Sequence, residues 1–476
     1  MVFNSIGYLF FLIISFIVFN LIPQNNKIKF LLFVSHLFYF FVHPLCPFIL
    51  LFVSYTGYHY AIRIHNSIYD NDKFHFLKIG IIINLLILFS FRYISDIFCL
   101  INFLSDLGIR FEKGSAITLI GVSFFTFQNI SYLIDTYLEK INPESQFSFY
   151  ALYMSFFPKM LQGPIERAEY LIPQFKKKYV FDYERLKSSL QLFFWGLFKK
   201  IVIADKFAVI VSNVFDFDPS ANQSGALIIA IYIYAVQIYA DFSGYTDMAI
   251  GSARLFGIEL TDNFNLPYLA VSIQDFWKRW HITLSSWILD YLFKPLQIKW
   301  RNYGDYGLVA SLVVTFLICG LWHGLTVNYI IWGMFHGLFI SLSYLTNKKW
   351  LKFCKKNLND KITYLFDVTI TFNVICFSWL IFRISKIDDL FLIVKKILSD
   401  LVNFSVYLRG HHIGFSPDLK VLFIVYVIIE LLRTRINFKQ YIDDSHIVIR
   451  WALYYAVLFS ILNYSMDDTE FIYMQF

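Results

Sequence analysis

Apolar runs long enough to lie in a lipid bilayer recur along this chain, separated by shorter polar stretches, and no other feature limits its fold as much. A span needs roughly 17 to 25 mainly apolar residues. Runs of that kind, several of them shorter, occupy 6–21, 30–42, 48–63, 79–91, 115–134, 188–212, 224–240, 307–322, 327–346, 362–382, 420–433 and 449–463. In lipid every backbone N–H and C=O must be satisfied within the protein, which a helix does by itself. Composition agrees: 16% of the residues are charged and 58% hydrophobic, where a soluble domain carries about 25% charged residues. No water-soluble core of this length needs 55 Phe. The chain therefore reads as an all-α polytopic integral membrane protein.

The first twenty residues, MVFNSIGYLFFLIISFIVFN, lack the basic start and small-residue cleavage site of a secretory signal and read as a retained first span. With the N-terminus outside, alternation places Lys27, Lys29, Arg167, Lys176, Lys177, Lys178, Lys278, Arg279, the lysines of 348–356, Arg433 and Arg435 in the cytoplasm. It leaves Asp216, Asp218, Asp467, Asp468 and Glu470 outside. That is the asymmetry of membrane proteins, and it predicts an even number of spans with both ends outside. It also accounts for the net charge of +7, since no basic face interleaved with aromatic residues exists outside the spans for a nucleic acid to use. The five cysteines, Cys46, Cys99, Cys319, Cys354 and Cys376, are widely spaced and suggest neither a disulfide framework nor a zinc site. No internal repeat or long linker appears, so residues 1–476 read as one membrane domain: N-terminal helices (1–122), a motif-rich core (123–346) and C-terminal helices (347–476).

Ionisable groups at membrane depth are costly, and are functional candidates for that reason. They concentrate between Asp241 and Gly337. Read as one helix, 273–293 (IQDFWKRWHITLSSWILDYLF) is amphipathic: Trp277, Trp280, Leu284 and Trp287 share one side, with Lys278, Arg279, Ser285, Ser286 and Asp290 opposite. The three tryptophans fit an interfacial aromatic belt, and His281 sits at the edge of the apolar face. His323 (GLWHG) and His336 (GMFHG) each lie in a G-x-x-H-G frame, whose paired glycines let helix backbones approach closely. The histidines need another reason, and imidazole is the usual general base near neutral pH. On one continuous helix the two would point about 220° apart, so at most one is expected to act directly. In YADFSGYTDMAIG (239–251), Asp241, Tyr245 and Asp247 form a polar knot after an apolar run, with Gly244 suited to a turn and the carboxylates to helix capping or to orienting a histidine. In FFPKMLQGPIERAEYLIPQF (156–175), Pro158, Gly163, Pro164 and Pro173 are expected to break any helix, and Glu166 to pair with Arg167. No G-x-G-x-x-G, phosphate-binding loop, H-E-x-x-H or G-x-S-x-G stretch occurs.

Taken together these stretches resemble the membrane-bound O-acyltransferase (MBOAT) superfamily, in particular the branch of the alginate O-acetyltransferase membrane subunit and the related peptidoglycan and cellulose O-acetylation proteins. The resemblance rests on SFFTFQNISYLIDTY (123–137), FFPKMLQGPIERAEYLIPQF, YADFSGYTDMAIG, NFNLPY (263–268), FWKRWHITLSSW (276–287), DYLFKPL (290–296), GLWHG, WGMFHG (332–337) and FIYMQF (471–476), in that order. It implies a ring of membrane helices with re-entrant and amphipathic pieces around a tunnel, in a bacterial cytoplasmic membrane. It implies that His323 is the catalytic histidine and His281 the second polar site residue, with Asp241, Tyr245, Trp322 and His336 nearby. The implied donor is acetyl-CoA or another acyl thioester on the cytoplasmic side; no tightly bound cofactor or metal is implied. Lys278, Arg279 and Arg167 suit the donor's phosphates and suit interface anchoring equally well. The implied acceptor is an extracytoplasmic glycan, reached with a periplasmic acetyltransferase partner. Leu289, where the branch usually has arginine, and Gln297 with Ile298, where it usually has Gly-Gly, depart from the pattern. D-alanyl transfer to teichoic acid is the alternative within the family. Outside it stand a transporter or flippase of a lipid-linked sugar, whose histidines would relay protons, and a non-catalytic assembly subunit.

Overall fold

Among the described residues, helices form where the apolar runs lie, and local chemistry sets their ends. Ser5, Ser272 and Asn359 each accept a backbone N–H at a first turn, and Pro47 and Pro417 lie in first turns, where an N–H would go unpaired. The computed structural model describes residues 2–93, 121–161, 163–216, 222–400, 416–436 and 438–464. Cys99, Asp218, Asp467, Asp468, Glu470, the FIYMQF stretch, the first residues of the 115–134 run and the side chains of Lys348, Lys349, Lys355 and Lys356 lie outside that description.

In chain order the helices are α1 (Ile6–Leu21), α2 (Lys27–Val42), α3 (Cys46–Asn66), α4 (Asp70–Arg92), α5 (Val122–Tyr137), α6 (Phe147–Ser155), α7 (Ala168–Phe175), α8 (Tyr183–Phe198), α9 (Asp205–Phe215) and α10 (Ser224–Leu255). Then come α11 (Ile273–Arg279), α12 (Ile282–Ile288), α13 (Lys294–Lys299), α14 (Gly304–His323), α15 (Val327–Asn357), α16 (Asp360–Arg383), α17 (Ile387–Asp400), α18 (Pro417–Leu432), α19 (Phe438–Asp444) and α20 (Ile447–Tyr464). Among the described residues there is no strand, only an isolated bridge between Phe264 and Trp280. Among the described residues, six segments are long and apolar enough to cross a membrane: Asp70–Arg92, Ser224–Leu255, Arg301–His323, Val327–Thr346, Asp360–Arg383 and Ile447–Tyr464. Their surroundings differ. In the apolar window of α10, 78% of residues are buried, against 6% in α20, so α10 is an internal helix and α20 leaves most of its side chains uncovered by the rest of the described protein.

The chain divides into two units, Met1–Phe193 with Tyr245–Asp262, and Phe194–Gly244 with Asn263–Phe476. In the first unit, α3, α4 and α5 are tied by buried amides: Asn129 Nδ2 donates to Asn84 Oδ1 (3.0 Å) and Val53 O (3.1 Å), and Tyr150 OH donates to Asn129 Oδ1 (2.8 Å). Polar bonds of this kind join helices where lipid leaves little hydrophobic drive between them. Gly57 makes room, since a Cβ there would stand 2.1 Å from Asn129 Oδ1. The expected Glu166–Arg167 pair is replaced by another contact. The buried Glu166 carboxylate accepts from Thr261 N (2.6 Å) and Thr261 Oγ1 (3.0 Å), and burial pushes it up to about 7 against those donors. Pro173, expected to break a helix, lies inside the short α7.

Three segmentations are corrected in the second unit or at its edge. The 188–212 run is not one straight helix: a π-helical turn, Lys199–Ala204, separates α8 from α9. The turn serves charge pairing, because Lys200 Nζ lies 2.8 Å from both Asp205 Oδ1 and Asp241 Oδ1 with all three side chains buried, while Lys199 Nζ donates to Ser243 Oγ (2.9 Å). Buried charges persist only when paired and hydrogen-bonded. There is no turn at Gly244 either. The 32-residue α10 runs through it, and the glycine instead admits a close neighbour, its Cβ position being 2.7 Å from Gly196 O. Asp241 is thus an ion-pair partner within a helix, not a cap. The third correction, to 273–293, belongs to the site.

Candidate active site

Helices α14 and α15 pack through glycine. A Cβ on Gly320 would meet Tyr329 O at 2.2 Å, on Gly333 Phe316 O at 2.3 Å, and on Gly337 Val313 Cα at 2.8 Å. Positions that fall along one helix as they rise along the other make the pair antiparallel, and the close approach read from the G-x-x-H-G frames is present. His323 is the last residue of α14, followed by Gly324 in extended backbone. Its ring lies 4.5 Å from Trp322, 5.0 Å edge-on to Phe382, 5.2 Å edge-on to Trp332 and 6.1 Å from Tyr329. His336 stands on the second helix, not on a continuation of the first, so the 220° argument does not apply. Trp332 touches both imidazoles, lying 4.7 Å from His336. Trp277 Nε1 donates to His336 Nδ1 at 3.3 Å, which places the ring proton of a neutral His336 on Nε2. Among the described residues that buried Nε2 finds no partner.

His281 is built differently. Residues 273–293 are not one helix: α11 ends at Arg279, α12 begins at Ile282, and a second π-helical turn, Leu289–Phe293, follows. His281 occupies the break with φ +43° and ψ 56°, a left-handed conformation uncommon outside glycine and asparagine. The NFNLPY stretch holds it there: Ile282 N donates to Asn263 O (2.9 Å), and Asn265 N donates to Arg279 O (3.0 Å). Asn263 Oδ1 accepts from Thr283 Oγ1 (2.6 Å) and lies 3.3 Å from His281 Nδ1. Phe242 packs edge-on against the imidazole at 4.7 Å, and burial pushes His281 down to about 3, so it is neutral at physiological pH. Trp280 and Trp287 are buried, and Trp277 packs on His336 and Trp332, so these tryptophans form protein core and not an interfacial belt. Rings at contact distance link the two regions, with Trp280 to Trp379 at 4.9 Å, Trp379 to Phe382 at 5.9 Å and Phe382 to His323 at 5.0 Å.

Exposure separates the three histidines. His336 is 0% and His281 2% exposed, whereas His323 keeps 8%. The other expected site residues divide. Trp322 lies beside His323; Asp241 is engaged by Lys200, next to the Phe242 that covers His281. Lys278 is exposed, and Arg279 Nε pairs with Asp275 at 2.9 Å. Tyr245 and Arg167 belong to the first unit, where Tyr245 stacks on Phe3 at 4.7 Å and Arg167 stands at the N-cap of α7. Sequence reasoning missed Asn263, Trp332, Trp379, Phe382 and Lys200. For Lys200 a signal existed, since Lys199, Lys200, Asp205 and Lys206 stand inside the mainly apolar 188–212 run; for the others only the fold shows the contact.

Long apolar helices enclosing imidazoles in an aromatic interior define a polytopic membrane protein whose polar chemistry is kept away from water. The family model for MBOAT, the membrane-bound O-acyltransferase family, matches residues 144–383. The chain is 34% identical over 365 residues to a peptidoglycan O-acetyltransferase of Helicobacter pylori, covering 71% of this chain and 67% of that one. It is 30% identical over 397 residues to a probable alginate O-acetylase AlgI of Pseudomonas aeruginosa, covering 82% and 73%. It is 26% identical over 278 residues to a teichoic acid D-alanyltransferase of Bacillus subtilis, covering 56% and 69%. The chain belongs to the membrane-bound O-acyltransferase family and is an O-acyltransferase, as the motifs led one to expect.

Proposed function

We propose that this protein moves an acetyl group from an acyl thioester on the cytoplasmic side, acetyl-CoA in the simplest case, through a dry tunnel to a hydroxyl beyond the membrane, for O-acetylation of a cell-envelope glycan. The observation that carries the site assignment is that His323, of the three histidines buried among the described residues, is the least enclosed, standing at a helix end among aromatic rings. An imidazole there takes the proton of the acceptor hydroxyl as its oxygen attacks the thioester carbonyl. The C–O bond forms, the C–S bond breaks, and the leaving thiolate recovers the proton from His323. General-base help of this kind contributes about 10²–10⁴-fold.

His281, neutral and fixed by Asn263, orients the thioester carbonyl or steadies its developing negative charge. Lys278, exposed beside the Arg279–Asp275 pair, is the better placed of the basic residues to draw the donor's phosphates; Arg279 and Arg167 have secondary parts. Identity to the O-acetylating relatives, 34% and 30% against 26% for the D-alanyl one, supports acetyl as the acyl group. The glycan is alginate-like, peptidoglycan or a related polymer. A periplasmic acetyltransferase completes delivery, and the membrane is the bacterial cytoplasmic one. Purified full-length protein in liposomes, given acetyl-labelled acetyl-CoA together with the periplasmic acetyltransferase and a glycan fragment, transfers label to the fragment. Movement of a lipid-linked sugar across the bilayer with no acyl transfer would establish the transporter reading instead.

A further inference from the structure

The second unit contains a groove of about 610 Å³ walled by α10, α16, α18 and the Leu266–Leu269 stretch; Ile229, Val236, Phe372 and Val427 are among its lining residues. The three histidines do not line it. Three of its four tyrosines turn their hydroxyls to protein partners: Tyr232 OH donates to Asn373 Oδ1 (2.6 Å), Tyr268 OH to Ala235 O (2.5 Å) and Tyr239 OH to Glu430 Oε2 (3.1 Å). What faces the groove is therefore hydrocarbon and ring surface, which suits neither a sugar nor a nucleotide. Along α10 it runs from Ile229 to Tyr239, about 15 Å at 1.5 Å per residue. That is half the ~30 Å hydrocarbon core of a bilayer, the depth of one leaflet. Two of its walls, α10 and α16, are long and apolar enough to cross the membrane.

One end is charged. Glu430, in the wall, is neutralised by Arg433 Nη1 at 3.0 Å, and Arg435 follows on the same exposed turn, leaving a local excess of positive charge. Basic residues at the edge of a groove between membrane helices recognise lipid phosphates. We propose that the groove seats one acyl chain of an anionic phospholipid from the bilayer, with its phosphate at Arg433 and Arg435. The chain seals α10 against α18 and keeps dry the Tyr239 and Tyr268 wall and the Trp280 ring behind it, whose mutual ring contacts run from 5.6 to 6.3 Å.

The test uses the full chain in nanodiscs of phosphatidylcholine with a minority of phosphatidylglycerol, either lipid carrying a photoreactive group in its acyl chain. Label from phosphatidylglycerol concentrates on peptides of α10 and α18. Val427→Trp, which fills the groove, lowers it about tenfold, the burial of roughly two methylenes. Leu342→Trp, at an exposed position of α15, leaves it unchanged. Arg433→Gln with Arg435→Gln abolishes the preference for phosphatidylglycerol over phosphatidylcholine. Both groove variants must elute as monodisperse protein, and Val236→Phe from the facing wall gives the same readout should Val427→Trp misfold. Equal labelling by the two lipids in the unsubstituted protein, or labelling insensitive to filling the groove, overturns the proposal.

Discussion

Substituting Gly320 by alanine tests whether the glycine contact sets the position of His323. The added Cβ would lie 2.2 Å from Tyr329 O and 3.0 Å from Tyr329 C, both backbone atoms. Carbon and carbonyl oxygen approach to about 3.3 Å at closest, so α14 and α15 must part by about 1 Å at this point. Overpacking of this sort costs about 1–3 kcal/mol. The same shift, three residues from the imidazole, misplaces the proposed general base by an amount that costs about 10²-fold in rate. Gly80→Ala is the control: its Cβ meets the Leu133 Cδ1 methyl at 2.7 Å, a side-chain end that can turn aside. Melting temperature in detergent and acetyl transfer are measured for both variants. Gly320→Ala should lose about 10²-fold in transfer with a modest fall in melting temperature, and Gly80→Ala should lose little of either. A Gly320→Ala protein that transfers acetyl at the unsubstituted rate would show that the helix contact does not position the chemistry.

Other outcomes follow from the same geometry. Lys200→Met takes the shared buried cation from Asp205 and Asp241 and should destabilise the protein by about 3–5 kcal/mol; adding Asp205→Leu and Asp241→Leu should restore most of it, read as melting temperature in detergent. At His281 the left-handed backbone costs a β-branched residue about 1–2 kcal/mol, so His281→Val should melt below His281→Asn. Burial lowers the folded-state pKa of His281 from 6.5 to about 3. Its contribution to stability is thus complete above the unfolded value and is lost as pH falls from about 6.5 towards about 3. His281→Asn should flatten that part of a stability–pH curve without moving any inflection in the rate between pH 6 and 8, which belongs to another group. A shifted inflection would mean that His281 titrates during the reaction.

Much of the architecture was legible in hydropathy, because a bilayer imposes helix on every long apolar run. The glycine frames around His323 and His336 foretold the α14–α15 contact, since small residues spaced four apart serve few other purposes in such helices. Reading failed where polar groups inside an apolar run find partners far along the chain. Lys200 draws Asp241 from a helix that begins two dozen residues later, and that pairing both bends the 188–212 run and removes the reason for a turn at Gly244. The amphipathic pattern of 273–293 hid a break, because Asn263 fixes His281 through bonds that no periodicity records. For the same reason the tryptophans looked interfacial: a ring pattern suits lipid headgroups and a packed core equally well.

One imidazole carries the proposed chemistry, and replacing it is the most direct test. In cells or membranes carrying His323→Ala at the unsubstituted protein's level of insertion, with His336→Ala in parallel, ester-linked acetate on the envelope glycan is quantified. His323→Ala should lower transfer by about 10²–10⁴-fold, with the helix pair still folded. Undiminished acetylation by the His323→Ala protein would contradict the assignment and remove the catalytic role proposed for this site.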